Sequence, residues 1–205
     1  MEDALLRREI RRLADELLPT RVADPAALPR RFTYLYGRMA EQIFRLVRIL
    51  AAELCQSEFK PLAYEYPISE REGTRPVVLR TADGDRVRVE GKVDRVDLYE
   101  GSDRDYIRVI DYKTGKKEFV LSEAVQGLNM QMLLYLFTLG ENGIGPLRHP
   151  GEAGVLYLPG TGGFTRGDRT TPDKDILDDQ RSQYRMSGMV LDEPEVVEAM
   201  ELGVS

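Results

Sequence analysis

The chain has 205 residues and 42% hydrophobic content, enough for one sizeable core or a core with an appendage, so two full domains are not required. The single cysteine, Cys55, excludes an internal disulfide framework and any all-cysteine metal site made by this chain alone. It fits a reducing compartment, and no run approaches the roughly 18 apolar residues of a membrane span, so a cytoplasmic protein is expected. The net charge of -6 argues against a whole surface that grips nucleic acid, although residues 1–50 hold 10 Arg and no Lys against 7 Asp and Glu. An acidic body suits a metal site built of carboxylates, and equally an ordinary acidic enzyme.

Met1 to Leu18 carries Leu5, Leu6, Ile10, Leu13 and Leu17 at helical spacing and predicts an amphipathic helix that stops at Pro19. A Pro-rich stretch, Asp24 to Pro29, separates it from a second helical pattern, Phe32 to Cys55, with Leu35, Met39, Ile43, Leu46, Val47 and Leu50 on one side. The arginines mostly occupy the polar faces and read as solvated helix surface. From Leu62 the pattern changes to short β-rich runs: Leu62 to Ser69, Pro76 to Thr81, Arg86 to Leu98 and Tyr106 to Lys113. Turn-forming residues between them predict a four-stranded antiparallel meander. Helical spacing returns from Ser122 to Leu139, with Gly140 as the expected stop. One more strand, Gly154 to Leu158, follows, then a Gly-, Thr-, Asp- and Arg-rich stretch over 159–183 that reads as a mobile loop. The tail resumes at Tyr184 to Leu191 and ends in a short helix, Pro194 to Glu201.

Chemistry concentrates in Val109-Ile110-Asp111-Tyr112-Lys113-Thr114-Gly115. Strand alternation puts Ile107, Val109, Asp111 and Lys113 on one face, so an apolar row ends in a carboxylate beside an ammonium. Asp and Lys are rarely buried unless paired or bound to metal. Asp94, in Gly91-Lys92-Val93-Asp94-Arg95-Val96-Asp97, comes from the preceding strand and can reach the same end by antiparallel pairing. Two oxygen ligands from adjacent strands suit Mg²⁺, which keeps several waters and needs few carboxylates. Lys113 would then orient or deprotonate an attacking water and stabilise charge developing on phosphorus. Glu65 supplies a third acid on an earlier strand. Gln131 and Tyr135 are four apart and share a helix face, where spacing alone makes Tyr135 a core aromatic beside Leu128 and Met132.

The order of these elements resembles RecB-type nucleases of the PD-(D/E)XK superfamily, and among them the AddB subunits of AddAB helicase-nucleases. The likeness rests on Gly91 to Asp97, on Val109 to Gly115, on Gly127-Leu128-Asn129-Met130-Gln131-Met132-Leu133-Leu134-Tyr135-Leu136 and on the tail Tyr184 to Glu201, with Met186 to Leu191. It implies a restriction-endonuclease-like α/β core with a mixed central sheet, largely an antiparallel meander, flanked by helices, over residues 58–205. Residues 1–57 would be an N-terminal helical segment packing on that core. The resemblance further implies that Asp94 and Asp111 bind Mg²⁺ or Mn²⁺ with the backbone carbonyl of Tyr112, and that Glu65 joins the acidic cluster. Lys113 becomes the catalytic lysine, and Gln131 and Tyr135 lean toward the scissile strand. The implied activity is a DNA exonuclease working with an AddA-type helicase-nuclease subunit in double-strand-break repair and homologous recombination.

Two departures qualify the likeness. RecB-type nucleases place a metal-binding His upstream of the strands, whereas the only His here, His149, follows them and reads as a solvated loop residue. AddB proteins commonly hold an iron-sulfur cluster through one cysteine before the domain and three after it. Cys55 does not match and reads as core filler, so such a cluster is expected only in a longer protein of which this chain is a piece. Alternatives from other classes are a weak or inactive DNA-guiding module of the same complex and a stand-alone Cas4-like exonuclease.

Overall fold

The structure is a computed structural model that describes residues 3–22, 28–113, 122, 130–160 and 182–201. These divide into two compact units. The first holds the residues up to Ala52 with Gly160 and 182–184, and the second holds Glu53 to Pro159 with the residues from Arg185 onward.

In the first unit, α1 (Asp3–Arg21) and α2 (Arg30–Gln56, whose last turn from Glu53 belongs to the second unit) meet through Ile10 and Phe44. The Arg7 guanidinium lies 3.6 Å over the Phe44 ring, and Arg7–Glu41 and Arg48–Asp3 ion pairs flank the contact. Two findings differ from expectation. The first helix runs through Pro19, which removes one N–H from its last turn, while the Thr20 hydroxyl and the Val22 N–H donate to the Leu17 and Leu18 carbonyls. Leu35, Met39 and Ile43 stay exposed, because α1 covers the Phe44 side of α2 rather than that row. Cys55 is also exposed rather than core filler, since the apolar stripe of α2 does not include it. The Asp24 to Pro29 stretch falls largely outside the described residues.

The second unit is built on a five-stranded sheet in the order β1 (Lys60–Ile68), β4 (Gly91–Glu100), β5 (Asp105–Lys113), β6 (Gly151–Pro159), β7 (Ser187–Val190). Neighbours are antiparallel except β5 and β6, which are parallel. A parallel pair needs a crossover, and α3 (Gln131–Asn142) lies in that connection. The meander is therefore interrupted. β2 (Val78–Arg80) pairs only with β3 (Arg86–Arg88) as a separate ribbon, and β1 pairs directly with β4. Every residue of β2 and β3 is exposed, so the ribbon has no buried face to hold it in the main sheet.

One sheet face packs on α3, with Val96, Ile107, Val109 and Val155 against Met132, Leu136 and Leu139. The other packs Phe59, Tyr106 and Ala153 on α4 (Pro194–Met200) through Val196 and Ala199. Helix α3 does not stop at Gly140. It continues to Asn142, and Gly143, with a φ of +79° and an N–H bond to the Leu139 carbonyl, closes it. Gly140 instead lets Glu152 approach: a Cβ there would lie 2.1 Å from Glu152 Oε1. The expected helix start over 123–129, and the loop over 161–181, lie outside the described residues.

Candidate active site

The register of β4 and β5 pairs Arg95 with Ile110, so one step further Asp94 and Asp111 come opposite each other. The Tyr112 N–H donates to Asp94 Oδ2 at 2.8 Å and ties the two strand ends together. Lys113 Nζ lies 2.6 Å from Asp111 Oδ2, with both side chains partly exposed. Asp111 Oδ2 is itself shut off from solvent and receives no well-aligned hydrogen bond, so its partner is an ion-pair contact only.

Glu65 falls opposite Asp94, between the pairs Tyr64–Arg95 and Tyr66–Val93. Its backbone is left-handed (φ +48°) in the middle of a strand, a strained state for a residue with a Cβ. Its side chain is exposed and bridges Lys92 at 3.2 Å. Burial pushes the Asp94 carboxyl above the ordinary aspartate range. The Tyr112 N–H pulls it down, Asp111 and Glu65 push it further up, and Lys113 opposes them.

Crowded like charges and an acid oxygen lacking aligned donors fit a hard divalent cation, which accepts oxygen ligands and relieves the repulsion. Among the described residues no three His, Cys, Asp or Glu side chains converge as a ready cage. The fit is thus to a cation held by two carboxylates and a backbone carbonyl, completed by water, with Glu65 standing outside.

Of the other expected residues, Gln131 is exposed at the start of α3 and donates through Nε2 to Tyr135 Oη at 2.7 Å. Tyr135 is 2% exposed, and its hydroxyl sits where a Cβ on Gly91 would come within 1.7 Å. Gln131 and Tyr135 are therefore joined to each other and to the start of β4, while the Tyr135 ring is core. His149 is exposed in the α3–β6 loop, with a φ of +47°.

Two features were missed in the sequence. Tyr157 of β6 pairs with Asp111, and its buried ring lies 5.3 Å from Lys113 Nζ. Burial raises its phenol, with Lys113 opposing and Asp111 adding. Only the parallel β5–β6 register brings it there, and no local signal announces that pairing. The second is a buried charge network on the opposite face from α3. Asp97 accepts from Arg95 Nε and Nη2 (both 2.6 Å) and from Arg108 Nε (2.9 Å), and Glu53 receives Arg108 Nη2 at 2.6 Å. Arg95, Asp97 and Arg108 are at most 1% exposed. Burial alone would lower the Arg95 pKa, but its bonds to Asp97 outweigh that and hold it above the usual arginine range. An arginine inside the apolar run Tyr106 to Ile110 was the available signal.

A mixed sheet gathering two acids and a lysine at adjacent strand ends defines a class, and similarity to known proteins agrees: residues 2–202 match the PD-(D/E)XK nuclease superfamily, to which the chain belongs. Among curated proteins it is similar to the B-subunit of the ATP-dependent helicase/deoxyribonuclease of Acetivibrio thermocellus, 31% identical over 194 residues, which are 94% of this chain and 17% of that protein. The corresponding protein of Symbiobacterium thermophilum is 34% identical over 194 residues, 92% of this chain and 16% of the relative. That of Clostridium acetobutylicum is 28% identical over 202 residues, 98% and 18%. The chain thus spans less than a fifth of the relatives it matches. They are of the AddB kind that the strand and helix motifs resembled. Among the described residues no helix is long and apolar enough to cross a membrane.

Proposed function

We propose that this chain hydrolyses DNA phosphodiester bonds using Mg²⁺ or Mn²⁺, as the exonuclease domain of a helicase-nuclease acting in double-strand-break repair and recombination. The observation that carries the reading is the placing of Asp94 and Asp111 on adjacent strands with Lys113 Nζ 2.6 Å from Asp111. Asp94, Asp111 and the Tyr112 carbonyl would hold the cation. When bound, it supplies Lewis-acid polarisation of a phosphate oxygen.

The remaining roles belong to the protein. The Tyr112 N–H holds one Asp94 oxygen and leaves the other to face the site. Lys113, kept near the acids by Asp111 and bordered by Tyr157, orients the attacking water and faces the charge growing on phosphorus. Glu65 adds a carboxylate at the rim, Gln131 presents its amide toward the scissile strand, and Tyr135 fixes Gln131. In this reading residues 58–205 are the nuclease core and 1–57 a helical appendage. The protein works in the cytoplasm with an AddA-type partner, which the names of the relatives support.

The test is end-labelled DNA incubated with the protein and Mg²⁺ or Mn²⁺, beside Asp111→Ala and Lys113→Ala. Cleavage is expected in the parent, lost with EDTA and reduced by at least about a hundredfold in each variant. Parent protein that leaves DNA intact with either cation, or variants that cut as well as the parent, would overturn the proposal.

A further inference from the structure

The β2–β3 ribbon is the one pair of strands that the core does not explain. Register places Val78 opposite Arg88, Leu79 opposite Val87 and Arg80 opposite Arg86. Alternation then puts Val78, Arg80, Arg86 and Arg88 on one face and Leu79 with Val87 on the other. Like charges directly opposite each other destabilise a strand pair, and a two-stranded ribbon alone is marginal in water. Arg88 has a partner, Glu70 at 3.2 Å, but among the described residues no carboxylate lies within ion-pair distance of Arg80 or Arg86.

The nearby acids are in the turn. Asp85 is held there by its backbone, whose N–H donates to Thr81 Oγ1 and whose carbonyl accepts from the Thr81 N–H, and Asp83 stands at the tip beside Gly84. In a chain of net charge -6, an exposed face bearing three arginines, two of them opposed and unpaired, lacks an internal purpose. A polyanion would convert that repulsion into attraction.

We infer that this ribbon is an arm that contacts the phosphate backbone of DNA through Arg80 and Arg86. The inference rests on the nuclease reading for the identity of the polyanion, and the fold supplies the geometry. β3 leads through Val89 and Glu90 into β4, so Arg88 is six residues from Asp94 along nearly extended chain, at most roughly 20 Å. That corresponds to about six nucleotide steps at the axial rise of a DNA strand. The arm would hold DNA at a fixed remove from the acidic cluster, where the carboxylates themselves repel phosphate until a cation binds.

The experiment is fluorescence anisotropy of a short labelled duplex, and of its single strand, titrated with the full chain in EDTA at several salt concentrations between about 50 and 200 mM. EDTA separates binding from cleavage. The parent is compared with the Arg80→Gln/Arg86→Gln double variant and, as a control, with Arg12→Gln, a helix arginine already paired with Glu9 and Glu16. Each lost phosphate contact lowers the slope of log K against log salt by about 0.9 on duplex and about 0.7 on single strands, so the double variant should lose about 1.8 and 1.4. The larger loss identifies the form of DNA held.

An unchanged slope in the double variant overturns the inference. So does an equal loss in the control, or a parent that binds neither form even at low salt. If the apolar Leu79–Val87 face is instead a protein contact, Leu79→Ser weakens association with a protein partner while the arginine variant leaves DNA binding untouched, which also overturns it. Ribbon-dependent binding without any cleavage in Mg²⁺ would sink the nuclease reading and leave the arm standing. Both arginines are exposed, so unchanged circular dichroism is expected and checks that the variant is folded.

Discussion

Asp97→Asn tests the energetics of the sheet most directly. Asp97 is fully buried and accepts three guanidinium bonds, two from Arg95 and one from Arg108. The amide keeps the shape but removes the charge and turns an N–H₂ toward donors. Two buried arginines are then left with Glu53, which is 20% exposed and 3.4 Å from Arg95. Breaking a buried ion pair by removing one partner costs about 3–5 kcal/mol, because the remaining charge stays desolvated. Against the roughly 5–15 kcal/mol of a typical domain, that is a large share. With a urea m-value of about 2 kcal/mol/M, the unfolding midpoint should fall by roughly 1.5–2.5 M, read by circular dichroism. Replacing Arg95, Asp97 and Arg108 together by Met, Leu and Met should recover most of the loss, since apolar substitution of a whole buried network is often neutral or better. A single-variant cost under about 1 kcal/mol, or a triple variant no better than Asp97→Asn, refutes the claim that these charges are buried and mutually dependent.

At the site itself, Asp94→Asn keeps an oxygen to accept the Tyr112 N–H but sheds the charge. Because the folded Asp94 pKa is raised, the parent loses stability as pH rises from the ordinary value of 3.8 through the folded value. In EDTA the variant should therefore melt higher than the parent at pH 7 and equal it at the acid end, and a variant that melts lower at pH 7 contradicts this. Added Mn²⁺ should raise the parent melting temperature and leave Asp94→Asn and Asp111→Asn unmoved, as ligand linkage requires. Gly91→Ala drives a Cβ to within 1.7 Å of Tyr135 Oη and 2.7 Å of Cζ. It should cost about 1–3 kcal/mol, and Tyr135→Phe should not rescue it because Cζ remains. Gly140→Ala meets only the end of the Glu152 side chain, which can swing away, so its thermal midpoint should stay near that of the parent.

Much of the site was legible because its signals are local. An apolar strand ending in Asp111 and Lys113, and a glycine-led strand carrying Asp94, need only alternation to show that their acids share a side. Gln131 and Tyr135 declared their contact through a spacing of four. Other features were illegible because they depend on partners far along the chain. Nothing near Pro19 or Gly140 states that a helix will pass through them, since packing and Glu152 decide the second of these. The run Arg86 to Leu98 reads as one strand, yet it splits at Glu90 because the exposed ribbon and the buried β4 answer to different surroundings.

By itself, then, the amino-acid order determined the class of fold, the acids and lysine that stand at the strand ends, and the helix that follows them, because hydrophobic period and residue type act over a few positions. Only the tertiary structure decided that β1 skips the ribbon to pair with β4 and that β6 runs parallel to β5, bringing Tyr157 to Lys113. It alone closed Arg95, Asp97, Arg108 and Glu53 into a single network. Each of these joins residues distant in sequence, and their energies exist only once the sheet has excluded water from between them.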